Sequence, residues 1–149
     1  MNELIKKFIL AQTCASVSCA DGTGKPYCFS CFYAFNVEKA FLYFKSSPDT
    51  RHSQIIVHHP LVAGTILPNK LNKLHIKGLQ FEGEVLSLTS SDAKEAANQY
   101  YNTHPLARAI SGEIWTIHIN SIKYTDNSLG FGKKIVWQRE KETIPPEEY

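Results

Sequence analysis

The chain has 149 residues, 43% hydrophobic and 20% charged, with sixteen Lys and Arg against fourteen Asp and Glu for a net charge of +2. That is the length of one domain, spanning residues 1–149, with enough core to fold without disulfide or metal staples. The balanced charge excludes the long basic stripe of a nucleic-acid binder, and no apolar run reaches a membrane span, so neither nucleic acid nor membrane is an expected partner.

Met1–Thr13 has Lys6 and Lys7 inside its apolar stretch and does not read as a signal peptide. The expected location is cytoplasmic, where thiols stay reduced. Leu4, Ile5, Phe8 and Ile9 recur at helical spacing, so a short amphipathic helix opens the chain. Thr13–Ala20 reads as a strand, Asp21-Gly22-Thr23-Gly24 as a hairpin turn, and Tyr27–Phe35 as an aromatic-rich strand. Ala40–Ser46 returns as a third strand, giving an antiparallel meander. A helix is expected from about Thr50 to His58, stopped by Pro60. Strands follow at Leu61–Leu67 and Gly78–Leu88, with Gly83 a bulge or bend. Asp92 and Glu95 form an apparent capping box for a helix running to about Thr103. Trp115, Ile117 and Ile119 alternate with polar residues as a half-buried strand. A glycine-containing loop spans Asn127–Gly132, Ile135–Trp137 closes the sheet, and the charged tail from Glu140 is loose at its end. About seven mostly antiparallel strands with two or three helices make a mainly β barrel or sandwich.

Cys28 and Cys31 have C-x-x-C spacing, but residues three apart on a strand face opposite ways, so they cannot share a metal. With Cys14 and Cys19 they read as buried packing residues. The six histidines lack metal-ligand spacing, and no metal is expected. Ser46–His52 joins a strand end to a helix start, where free amides and the helix dipole suit a phosphate. Thr50 adds a hydroxyl, Arg51 a fork of donors and His52 a further donor. The same residues also read as an ordinary N-cap beside a solvated arginine. Lys133 and Lys134 read as solvated surface. No Walker loop, dinucleotide fingerprint or nucleophile elbow is present.

Leu42–Ile55 (LYFKSSPDTRHSQI) resembles the flavin-phosphate segment of the pyridoxamine 5'-phosphate oxidase-like split barrels. Gly78–Val85 (GLQFEGEV) resembles that family's G-V-Q-x-x-G strand. Cys31–Phe35 (CFYAF) and Thr125–Trp137 (TDNSLGFGKKIVW) are similar to an uncharacterised bacterial branch, the YhbP-like proteins. The resemblance implies a split β-barrel, a homodimer and FMN at its interface. It implies that Thr50, Arg51 and His52 hold the flavin phosphate, His52 standing where many relatives have lysine. It sets Phe44, Lys45 and Ser46 at the ring edge and ribityl chain. Gln80 falls on the strand that reaches the second subunit's flavin, and Lys134 near a basic residue that helps with the cofactor. The implied function is a flavin-dependent oxidoreductase of unknown small substrate. The alternatives are a non-catalytic flavin-binding module and, more distantly, a haem binder. The pyridoxamine phosphate oxidase activity itself is not expected. His104 replaces an arginine of its substrate-phosphate segment, and Ser128-Leu129-Gly130 replaces a basic pair.

Overall fold

Seven strands and three α-helices run in the order α1 (Glu3–Ala11), β1 (Cys14–Ala20), β2 (Pro26–Asn36), β3 (Phe41–Ser46), α2 (Arg51–His58), β4 (Leu61–Ile66), β5 (Lys77–Val85), α3 (Ala93–Thr103), β6 (Glu113–Asp126) and β7 (Lys134–Gln138). The computed structural model describes residues 1–130 and 133–140. Phe131 and Gly132 of the expected glycine loop, and the tail beyond Glu140, lie outside the described residues. Short 3₁₀ turns at Pro105–Ala109 and Asn127–Leu129 flank β6.

The sheet order is β3-β2-β1-β4-β5-β6-β7, every pairing antiparallel, and β3 also pairs with β6. That last pairing, from Phe41↔His118 to Ser46↔Glu113, closes six strands into a barrel. Ile135–Trp137 falls, as expected, in the last strand of the sheet, but the ring itself is closed by β3 and β6. Among the described residues β7 pairs only with Ser121–Thr125 of β6, and it lies outside the ring. The 14-residue length of β6 is the reason: its first half completes the barrel and its second half carries β7. The architecture is a split β-barrel with flanking helices.

Burial follows from which face each side chain takes. Leu42 and Phe44 of β3 point into the barrel, while Phe41 and Tyr43 point outward. The outward pair is not left in water, because Ala96 and Tyr100 of α3 cover it. β3 is thus buried on both faces, and Phe41–Phe44 forms one apolar run. α1 lays Ile5, Phe8 and Ile9 against the interior cluster, and the Tyr33 hydroxyl donates to the Ile9 carbonyl at 2.5 Å. Gly83 marks the expected bulge in β5, where a Cβ would stand 2.4 Å from the His118 carbonyl oxygen. Among the described residues no helix is long and apolar enough to cross a membrane.

Two expectations are corrected. Asp92 sits at the start of α3 without a side-chain cap bond. Instead Asp92 and Glu95 both accept from Lys39 Nζ, at 2.9 and 2.6 Å, so the β2–β3 turn takes the carboxylates the helix start would have used. Of the four cysteines, Cys19 is buried and Cys31 half-buried, but Cys14 and Cys28 are exposed. Strand alternation places the exposed pair on the outer face, and the outer face here is not covered within one chain.

Candidate functional site

β3 ends at Ser46, and the chain turns through Ser47-Pro48-Asp49 into α2. Thr50 is the N-cap: its Oγ1 accepts from the Ser53 amide at 3.2 Å and lies 2.7 Å from Ser53 Oγ. The Gln54 amide makes the first intrahelical bond, to the Thr50 carbonyl. The amides of Arg51 and His52 are left without an intrahelical acceptor, at the positive end of the helix dipole. Arg51 is exposed, its guanidinium 5.1 Å from the Tyr27 ring centroid. Among the described residues no carboxylate pairs with it.

Ser46 is fixed from two sides. Its Oγ is 2.7 Å from His52 Nε2, and its carbonyl accepts from Trp115 Nε1 at 3.1 Å. The His52 ring lies flat on Phe29, with centroids 3.8 Å apart and 9° between planes. Phe29 packs on Phe44 at 5.4 Å, and Phe44 lies nearly parallel to Trp115 at 6.4 Å. A continuous chain of aromatic contacts thus runs from the barrel core to the α2 rim, where it carries His52 and Ser46. Phe29 and Trp115 were not singled out from the sequence as site residues. Their signal was the inward register of β2 and β6, which means little until β3 is known to lie between them.

Other expected site residues are placed differently. Phe44 is 0% exposed and belongs to the barrel core, packed behind the rim. Lys45 Nζ donates to Tyr101 Oη at 2.8 Å, to the Ala107 carbonyl at 2.7 Å and to the Ile110 carbonyl. All three ammonium protons are engaged, strapping the segment after α3 beside Ser46. Gln80 is exposed on the outer face of β5, between Thr65 and Lys123. There it borders a groove of about 560 Å³ with Ser16, Ser18 and Glu82. Lys134 is exposed at the start of β7, opposite Thr125. The structure therefore brings together Ser46, Thr50, Arg51 and His52, with Phe44 behind them, and keeps Gln80 and Lys134 apart from that group within one chain. Among the described residues, no three His, Cys, Asp or Glu side chains are grouped to hold a metal.

Burial pushes the His52 pKa below its ordinary value. The neutral ring is favoured, and the Ser46 hydroxyl can donate to Nε2. The folded state then binds a proton less readily than the unfolded chain. The stability tied to neutral His52 is present above pH of about 6.5 and is lost as pH falls through its depressed folded value. Thermal unfolding from pH 8 down to pH 5 should show this loss in the parent protein and a flatter profile in His52→Gln. Equal slopes in the two proteins would count against it.

The closed six-stranded ring, with an accessory strand on β6 and helices on its flanks, places the chain among the split-barrel proteins. No family model matches it. It is 38% identical over 137 residues to the UPF0306 protein plu4501 of Photorhabdus laumondii, covering 92% of this chain and 95% of that one. A UPF0306 protein of Yersinia pestis is 39% identical over 137 residues, covering 91% and 92%. The chain belongs to the UPF0306 family.

Solved structures share the fold at low identity. A haem-binding protein from Mycobacterium smegmatis superposes with a TM-score of 0.72 at 11% identity, covering 86% of this chain. This chain spans 53% of that protein's length. A FAD-binding protein from Mesorhizobium loti gives 0.69 at 17% identity, covering 85% and 95%. A NimC/NimA family protein from Clostridium acetobutylicum gives 0.66 at 14% identity, covering 92% and 91%.

Proposed function

We propose that this chain binds FMN as a homodimer and acts as a flavin-dependent oxidoreductase of the pyridoxamine 5'-phosphate oxidase-like, YhbP-like type. The observation that supports the reading is the start of α2. There two helix amides stand at the positive end of the dipole, the hydroxyls of Ser46 and Thr50 lie 3.4 Å apart, and the exposed Arg51 follows the cap, with no ion-paired carboxylate among the described residues. These groups fit a single phosphate monoester, with Arg51 supplying the charge and the helix start the dipole. One such group favours FMN over FAD. Fold neighbours named as FAD-binding and haem-binding have flat conjugated ligands in common, and the apolar body of a barrel suits such a ring. FMN, when bound, would carry the electrons, while the protein orients it and sets its surroundings.

In this reading Lys45 acts by position, holding residues 107–110 beside Ser46. Gln80 and Lys134, distant from α2 in one chain, would reach the flavin of the other protomer. Phe32, 63% exposed on the outer face of β2, offers apolar surface for that contact. The absorption spectrum of the purified protein, with the released cofactor identified by mass, tests the assignment. FMN is expected; haem, or no affinity for FMN at micromolar levels, would overturn it. Light scattering on the FMN-loaded protein should report a dimer. Anaerobic mixing with NADH or NADPH separates an oxidoreductase, whose flavin bleaches, from a module that stores or senses flavin.

The pyridoxamine phosphate oxidase reaction is not part of the proposal. His104 ends α3 with Nε2 2.7 Å from the Tyr33 carbonyl, Arg108 lies 4.6 Å over the Tyr101 ring, and Ser128 Oγ donates to Asp126. These contacts occupy the positions where a second phosphate would need free cations. An oxygen-consumption assay with pyridoxamine 5'-phosphate should show turnover well below about 1 per second.

A further inference from the structure

A second surface stands apart from the α2 site. In the segment between β4 and β5, Leu71, Leu74 and Ile76 are 74%, 82% and 59% exposed. The backbone there is held in place. Asn69 accepts from the Thr13 amide at 3.2 Å through Oδ1, and its own amide donates to Gln12 Oε1 at 2.8 Å. Asn72 Oδ1 accepts from the Leu74 amide at 2.9 Å, and the Asn127 amide donates to the Ile76 carbonyl at 3.0 Å. The backbone is thus tied to the rest of the fold at both ends and turned locally in its middle, and the aliphatic side chains stand in solvent. Such a cluster marks a contact surface.

Lys70 and Lys73 alternate with these side chains, and Leu4 and Lys7 of α1 face Lys70 across a shared groove. Lys6 is paired with Glu3, and Lys77 with the buried Asp126. Among the described residues, no carboxylate lies within ion-pair distance of Lys7, Lys70 or Lys73. The segment therefore carries exposed aliphatic side chains and lysines without a partner carboxylate next to one another along the chain.

We propose that this face docks on an anionic lipid surface, the leucines entering the headgroup boundary and the lysines meeting lipid phosphates. Charge complementarity selects this occupant. Two copies meeting symmetrically through the face would set lysine against lysine. A nucleic acid is read with arginine and aromatic side chains, whereas the exposed apolar groups here are all aliphatic and the three arginines, Arg51, Arg108 and Arg139, lie in other elements. The contact is peripheral, so the missing membrane span, on which the expectation of no membrane partner rested, does not bear on it. The proposal is independent of the flavin reading.

The test is flotation of the full chain with vesicles of phosphatidylcholine alone, and of an equal mixture with phosphatidylglycerol. Binding is expected to the mixed vesicles only, falling as salt is raised. The double variant Lys70→Ala, Lys73→Ala should weaken it by about 30-fold. Leu71→Ser with Leu74→Ser should weaken it as well, with circular dichroism and thermal unfolding unchanged. Equal binding to both vesicle types, or none to the mixed ones, would overturn the proposal. So would dissociation of an oligomer by the leucine variant, which would make the face an interface between copies. Binding of single-stranded RNA with the same lysine dependence would overturn it too.

Discussion

Phe44→Ala is expected to cost about 3–5 kcal/mol of folding stability, the range for truncating a buried aromatic. A domain of this size has only about 5–15 kcal/mol to lose. The ring is fully buried and lies between Phe29 and Trp115, so its removal leaves a cavity lined by side chains that are themselves stacked. The consequence reaches the rim, because Phe29 carries His52 and Trp115 holds the Ser46 carbonyl. Urea unfolding should show the loss directly. Phe44→Leu fills most of the space and should cost less than half as much. If Phe44→Ala proves nearly neutral in stability, the packing described for β3 is wrong.

Arg51→Ala should weaken FMN by about 1.5–3 kcal/mol, roughly 10- to 100-fold, the worth of hydrogen bonds to a charged group. Riboflavin, which lacks the phosphate, should bind the variant as it binds the parent. Arg51→Lys should recover only part of the loss, since it restores the charge but not the planar fork. The substitution is expected to leave stability nearly unchanged, because the side chain is exposed and lies over the Tyr27 ring. Fluorescence quenching titrations with the two flavins measure the difference. A parallel loss of riboflavin affinity would move Arg51 away from the phosphate.

Local signals in the sequence carried far. The helix of Leu4, Ile5, Phe8 and Ile9, the Asp21–Gly24 turn and the Gly83 bulge are all in the structure, because each depends on residues close together in the chain. The start of α2 was legible for the same reason, as Thr50 caps it through its own side chain. The misses are all long-range. Asp92 and Glu95 have capping spacing, but Lys39, distant in sequence, claims both carboxylates. The resemblance sets Lys45 at the ring edge, but Tyr101, Ala107 and Ile110, distant in sequence, take its ammonium. Exposure of Cys14 and Cys28 depends on whether another chain covers the outer face, which no strand pattern encodes.

The pairing of β3 with β6 also shapes how the chain must fold. The two strands lie roughly 70 positions apart, so closing that loop costs entropy before any barrel contact repays it. The β1–β3 meander needs only short turns and can form early. Until β6 docks, β3 and β5 both present unpaired edges whose inner faces carry Leu42, Phe44, Leu79 and Phe81. During synthesis that exposure lasts until Glu113–Asp126 has left the ribosome, a sticky interval set by topology rather than by the stability of the finished protein.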